Sequence, residues 1–407
     1  MKPMGPIPLE FAAGDVLTIA GHDAEHWIAQ AGDTPLFVYD FAVVARRIAR
    51  FRAAMPPRLS LHYAIKANPH PAMLAAIAPL LDGLDVASGG ELAKAKAVKP
   101  AALVSFAGPG KRDDELEAAI GAGATLNVES EGEVGRAIAI GDRLGTAPRL
   151  AVRVNPDFDL KGSGMKMGGR PSPFGVDAAR VPALVREIRA AGADWRGFHI
   201  YAGSQALSAE AIIETQAATV ALARRLAEQA GARAPHVNLG GGFGIPYFAG
   251  DMPVDVEAVG TALADCLASE GDPDTHYAIE LGRWLVGECG VYLTRIVDRK
   301  ESQGETFLVV DGGLHHQLAA SGNFGTVVRR NYPIAIAGRM SGETETVSVV
   351  GSLCTPLDRL GEKVALPRAD VGDVVAIFLA GAYGFTASPA MFLGHPAARE
   401  LFVAMPR

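Results

Sequence analysis

The sequence predicts an α/β protein, a (β/α)8 barrel followed by a second, mostly β domain. Three observations carry that reading. Eight short apolar segments alternate with helical patterns between Leu59 and Glu280. None of those segments reads as half of a hairpin. Beyond about Gly290 the helical periodicity gives way to strands separated by Gly, Pro and charged turns. Repeated strand–helix units force parallel strands with right-handed crossovers, and eight of them is the arithmetic of a barrel. An open doubly wound sheet is the main rival, but it would carry a dinucleotide or phosphate fingerprint at its first turn, and none is present.

Taken in order, Met1 to Asp33 holds no strong periodicity, Thr34–Tyr39 reads as a strand, and Ala42–Ala54 as a helix. The barrel strands are predicted at Leu59–Ile65, Leu84–Ala87, Leu103–Phe106, Thr125–Val128, Leu150–Val154, Gly197–Ile200, His236–Leu239 and Tyr277–Glu280. Between them, apolar residues at helical spacing mark Pro71–Leu81, Glu91–Val98, Asp113–Ile120, Glu131–Leu144, Ala178–Ala190, Ala209–Ala230 and Val256–Ala268. Val291–Val297, Phe307–Val310, Thr346–Val350 and Val374–Ala380 read as strands of the second domain, which the strand at Thr34–Tyr39 could join. The expected division is residues 41–288 for the barrel and 1–40 with 289–407 for the β domain. The Gly/Lys-rich stretch Lys161–Arg170 is expected to be a mobile loop.

Composition narrows the function classes. At 407 residues, with 49% hydrophobic and 20% charged side chains, the chain reads as globular with two domains. A net charge of −7 argues against nucleic acid and anionic membranes as partners. No apolar run approaches the ~20 residues that span a bilayer. Cys266, Cys289 and Cys354 are too few for a disulfide framework, which fits a cytoplasmic setting.

The active site of such a barrel lies at the C-terminal ends of its strands, and unusual polar residues fall there. Lys66 closes the first strand, where it is either solvated or, if desolvated, an amine able to form a Schiff base. Asp85 and Ser88 flank the second strand end; Arg153 and Asn155 close the fifth; His199, Gly203, Ser204 and Gln205 follow the sixth. Gly240, Gly241 and Gly242 follow the seventh, either as a tight turn or as backbone that approaches a phosphate. Glu280 at the eighth would either pair with Arg283 or face a pyridine nitrogen, which a carboxylate keeps protonated. His199 is either a core histidine or a flat ring against a planar cofactor. Cys354 sits in a Gly/Pro turn, as a reachable thiol would, although cysteine is usually buried and inert. Tyr383 is either core or a phosphate ligand. His315 and His316 lack a third ligand at metal spacing, so no metal is expected.

Read in sequence, Y-A-I-K-A-N, D-V-A-S-G-G-E, H-I-Y-A-G-S-Q, L-G-G-G-F-G-I-P-Y, E-L-G-R, C-T-P-L-D and G-A-Y resemble the fold-type III pyridoxal-phosphate decarboxylases, from about Thr34 to Val403. This is the family of diaminopimelate, ornithine and arginine decarboxylases. The resemblance implies an alanine-racemase-type barrel with a C-terminal β-sandwich or β-barrel domain, pyridoxal 5'-phosphate as cofactor, and an amino acid carboxy-lyase activity. It implies that Lys66 holds the cofactor covalently, His199 stacks on its ring and Glu280 binds the pyridine nitrogen. Asp85, Arg153, Ser204, Gly240, Gly241, Gly242, Gly282, Arg283 and Tyr383 then belong to the cofactor shell. Arg283, Thr355, Asp358 and Tyr383 face the substrate. Cys354 would be the proton donor, reaching the active site of a second subunit, so a homodimer with shared sites is implied. Racemases of this fold place an arginine where Glu280 stands, so the glutamate points to decarboxylation.

Departures from the family bear on the substrate. Thr355 stands where diaminopimelate decarboxylases carry a glutamate and ornithine-type enzymes an aspartate. The arginine expected after the Asp311 turn is missing from Leu314 to Ala320, Leu281 replaces a proline, and Pro173 replaces a lysine. C-T-P-L-D and G-A-Y-G-F-T-A-S-P are more similar to a subgroup associated with exosortase gene clusters and to a decarboxylase of carrier-protein-bound glutamate. The expected substrate is therefore a carrier-bound or otherwise derivatised amino acid. The alternatives are a diaminopimelate decarboxylase of lysine biosynthesis and a catalytically silent regulatory homologue, against which Lys66, Glu280 and Cys354 speak.

Overall fold

Parallel strands of three to seven residues, mostly joined through helices, build the barrel. The computed structural model describes residues 1–158, 165–166, 171–323 and 329–405. It divides into two compact units, one of Ile48–Gly244 with Pro253–Gly282, the other of Met1–Arg47, Ile245–Met252 and Arg283–Arg407.

In the first unit the barrel strands are β1 (Ser60–Ala64), β2 (Gly83–Val86), β3 (Val104–Phe106), β4 (Thr125–Val128), β5 (Arg149–Asn155), β6 (Asp194–Ile200), β7 (His236–Gly241) and β8 (His276–Leu281). Each pairs in parallel with the next, and β8 closes on β1 through Ala278↔Ser60 to Leu281↔Tyr63. The fold class read from the sequence is therefore observed. Helices Glu131–Leu144 and Ala209–Ala230 have the bounds expected for them. Both begin at a serine that accepts an N–H from the first turn (Ser130 from Glu133, Ser208 from Ala211) and end at a left-handed glycine, Gly145 or Gly231. Helix Val181–Ala190 buries Val181, Leu184, Val185 and Ile188, a spacing that keeps one stripe against the strands.

Side chains alternate along each strand. Leu61 and Tyr63, Leu84 and Val86, Leu126 and Val128, Val237 and Leu239, Ile279 and Leu281 make up one buried apolar set. The alternate positions His62, Asp85, Asn127, Arg153, His199, Asn238 and Glu280 are polar. Barrel interiors are usually filled by branched apolar side chains. Here the polar set meets across neighbouring strands, as Asn127 donates to Ser105 Oγ at 2.6 Å and Asn238 lies 3.2 Å from Glu280.

The second unit is mostly strand. Gly290–Ser302 pairs antiparallel with Glu305–Val310 through a turn at Gln303 and Gly304, both with positive φ, which suits a tight hairpin. It also pairs with Val374–Ile377 and with Leu36–Asp40, so the early strand does join this domain. Three of its longer strands escaped the sequence reading, namely Ile334–Ile336, Arg359–Pro367 and Arg399–Val403, as did the two-residue pair Thr18–Ile19 and His22–Asp23. A helix at Ala24–Ala31, capped by Asp23 and Gly32, also escaped it. Lys161–Arg170 lies outside the described residues apart from Met165–Lys166.

Candidate active site

Strand β1 ends at Ala64, and a 3-10 turn over Ile65–Ala67 follows. The turn buries Ile65 and Ala67 and leaves Lys66 exposed, with its Nζ 6.0 Å from the centre of the Tyr201 ring. Tyr63 donates its hydroxyl to the Asn68 carbonyl at 3.0 Å, and Asn68 Oδ1 accepts the His70 N–H at 3.0 Å. The turn is thus pinned on both sides of the lysine. Gly282, just past β8, lies behind it, since a Cβ there would sit 3.0 Å from that of Ala67.

Glu280 is buried at the end of β8. Its Oε2 is 3.1 Å from His199 Nε2 and accepts from Asn238 Nδ2 at 3.2 Å. Asn238 is itself oriented by the Gly240 N–H, which donates to its Oδ1 at 2.9 Å. Burial alone would raise the Glu280 carboxyl, but His199, Lys66 and Arg153 outweigh it and hold the group well below the usual carboxylate range. Arg153 is 2.9 Å from Glu129, which also accepts the Gly175 N–H at 3.1 Å.

The glycines after β7 are required by close backbone approach. A Cβ on Gly240 would fall 2.6 Å from the Ile200 carbonyl oxygen, on Gly241 1.7 Å from that of Glu280, and on Gly242 2.1 Å from that of Gly203. Gly240 and Gly242 also hold φ of +71° and +80°. The run therefore packs the loops after β6, β7 and β8 together, beside Ser204. Asp85, on β2, lies 3.2 Å from His62 Nδ1.

In the other unit, Arg283 donates to the Tyr247 hydroxyl at 2.9 Å and lies over the rings of Tyr247 and Tyr383, 5.3 and 4.7 Å from their centres. Tyr332 packs on Tyr247 at 4.8 Å. Tyr383 adopts φ of +52°. Cys354 is exposed and Thr355 half-buried, in the loop after Thr344–Val350. Asp358 braces that loop, one oxygen accepting the Leu314 N–H at 2.6 Å and the other the Leu353 N–H at 2.9 Å. Gly313 and Gly351 pack against the same carboxylate. Its contacts are those of a brace, where a substrate residue was expected. Asp358→Ala should therefore cost about 3 kcal/mol, since it orphans two buried N–H groups. Urea unfolding would measure this, and a loss within about 0.5 kcal/mol of zero would contradict the bracing role.

The barrel residues fit a pyridoxal cofactor, with an accessible amine on a rigid turn, a carboxylate kept ionised for a pyridine nitrogen, an adjacent imidazole and a glycine-rich loop. The pyridoxal binding domain of the pyridoxal-dependent decarboxylases matches residues 41–287. The chain belongs to that family. This decarboxylase is 36% identical to the L-glutamyl-[BtrI acyl-carrier protein] decarboxylase of Niallia circulans, over 91% of this chain and 88% of that one. It is 31% identical to the diaminopimelate decarboxylase of Archaeoglobus fulgidus, over 97% and 93%. Among solved structures, Helicobacter pylori diaminopimelate decarboxylase complexed with L-lysine superposes with a TM-score of 0.84, at 27% identity, over 94% of each chain. The decarboxylase is a pyridoxal-phosphate-dependent carboxy-lyase, and no described helix is long and apolar enough to cross a membrane.

Sequence reasoning left His62, Asn238, Glu129, Tyr247 and Tyr332 without roles. Tyr247 was within reach, because it ends the motif L-G-G-G-F-G-I-P-Y. Glu129 and Asn238 look like ordinary strand-end polar residues until their partners are known.

Proposed function

We propose that this decarboxylase removes the α-carboxylate of an amino acid whose side chain is tethered to a carrier protein or otherwise masked. One observation carries the reading. The segment Leu314–Ala320 contains no arginine or lysine, and its polar members His315, His316 and Gln317 are fully buried. His316 is committed to the Tyr292 hydroxyl at 3.0 Å and the Pro396 carbonyl at 2.9 Å. Thr355, next to Cys354, brings no charge. A free distal carboxylate or ammonium group would be desolvated without a partner, which is costly, whereas a thioester or amide carries no charge to lose. The carrier-bound substrate in the name of the 36%-identical relative supports the same choice.

In this reading Lys66 holds the cofactor and His199 covers its ring. Glu280 keeps the pyridine nitrogen protonated, with Asn238 and His199 fixing the carboxylate. Arg153, Ser204 and the Gly240–Gly242 loop complete the cofactor shell, with Arg283 and Tyr383. The bound cofactor supplies an electron sink for the pair left when carbon dioxide departs. Cys354 donates the proton to the carbon that lost it, acting across a homodimer with shared sites. Asp85 is not given a direct contact to the cofactor.

The test is carbon dioxide release from a panel of free and carrier-loaded amino acids. Carrier-loaded glutamate should exceed free glutamate by roughly a hundredfold in kcat/KM, the scale of leaving one charge unpaired. Efficient turnover of free meso-diaminopimelate would overturn the proposal in favour of a lysine-pathway enzyme.

A further inference from the structure

On the barrel strands, level with Glu280, lies a histidine–aspartate pair that the chemistry above does not use. His62 is on β1, the strand between β8 and β2, in register with Glu280 on one side and Gly83 on the other. Its ring fills the space a Gly83 side chain would need, since a Cβ there would fall 2.6 Å from the imidazole. Gly83 thus seats the ring, and its Nδ1 meets Asp85 Oδ2 at 3.2 Å. Asp85 has no hydrogen-bonding partner of good geometry among the described residues; His62 and, more weakly, His199 face its buried charge.

Two carboxylates, Asp85 and Glu280, therefore flank one imidazole in a water-poor interior. Each disfavours the other's ionisation, and an imidazolium between them offsets that repulsion. The remaining neighbours do not take this part. His236 on β7, its ring 6.1 Å from that of His62, is pushed down to about 3 by burial and by the positive groups His62, Arg196, His276 and Arg149. It is neutral at physiological pH. Asp82, before β2, is held by Arg52 at 2.8 Å and the Leu61 N–H at 2.7 Å. His199, Lys66 and Arg153 also act on Glu280. Burial works against a charged His62, yet Asp85 and then Glu280 raise it above the ordinary histidine value. Asp85 itself is raised, by burial first.

We propose that His62 is a positioning residue, a cation seated between Asp85 and Glu280 that lets both carboxylates stay ionised and so reserves Glu280 for the pyridine nitrogen. The consequence is a proton held on β1, level with Glu280, by a residue outside the cofactor shell.

Three variants of the cofactor-loaded protein test this, His62→Gln, Asp85→Asn and the double substitution, each titrated spectroscopically from about pH 6 to 9 with cofactor affinity measured in parallel. In His62→Gln the unpaired Asp85 should take up a proton at a higher pH than in the parent. That would give a new transition in the cofactor's near-visible band and about tenfold weaker cofactor binding, the equivalent of one pKa unit. Asp85→Asn alone should show no new transition. In the double variant the transition should vanish and the affinity return to within about threefold of the parent. A His62→Gln protein that titrates like the parent, or a double variant as impaired as the single, would overturn the proposal. The unmodified cofactor-free protein gives an independent reading by histidine nitrogen NMR. The imidazolium signal of His62 is expected to persist to a higher pH than that of a free histidine, and a ring that loses its proton at or below the pH of free histidine would also overturn it. None of these readouts depends on which amino acid is the substrate.

Discussion

Lys66→Ala should abolish the near-visible absorption band of the cofactor-loaded protein and lower decarboxylation by at least about a thousandfold, because no other amine stands at the end of β1 to take its covalent role. The fold should survive. Lys66 is exposed on a turn whose buried members are Ile65 and Ala67, so the truncation opens no cavity. Far-ultraviolet circular dichroism and the urea midpoint should stay near those of the parent. Borohydride reduction of the parent followed by peptide mapping should place the label on Lys66. A label on another lysine, or a band that persists in the variant, would remove the basis of the site.

Glu280→Gln is the second large effect, and its direction follows from charge. The glutamine keeps the size and can still meet Asn238 and His199, but it cannot hold a proton on a pyridine nitrogen as an anion does. Decarboxylation should fall by about a hundredfold or more, the scale seen when one preorganised electrostatic group is removed from an active site. Cofactor should still attach to Lys66, so the reduction-trapping experiment separates this variant from Lys66→Ala. Turnover within about threefold of the parent would mean that the carboxylate has a structural role only.

Most of the barrel was legible because parallel strands buried on both faces are short and apolar, and two of the helices between them, Glu131–Leu144 and Ala209–Ala230, carry both a serine cap and a terminal glycine. The β domain was less so. Arg399–Val403 becomes a strand by pairing with Leu36–Asp40, a partner more than three hundred residues away, which no local pattern announces. Arg359–Pro367 is broken as a pattern by Gly361 and by the positive φ of Lys363, so its alternation does not show. Ala24–Ala31 makes only two turns, too few for periodicity to rise above its surroundings, although Asp23 and Gly32 bracket it.

The site divides the same way. The motifs around Lys66, Glu280 and Gly240–Gly242 were legible because each depends on residues adjacent in the chain, such as a lysine after a strand, a carboxylate at a strand end or a run of glycines. The bracing contacts of Asp358, to Leu314 and Leu353, were not legible because they exist only once two loops meet. The family resemblance places Asp85 with the cofactor, and its contact with His62 on the neighbouring strand was not legible because it depends on strand register. The sequence by itself determined the fold class, the cofactor and the reaction type, since these rest on local pattern and on chemistry that few residue types can perform. Only the tertiary structure decided which polar side chains inside the barrel face one another, because register and closure, not proximity in the chain, bring β8, β1 and β2 together.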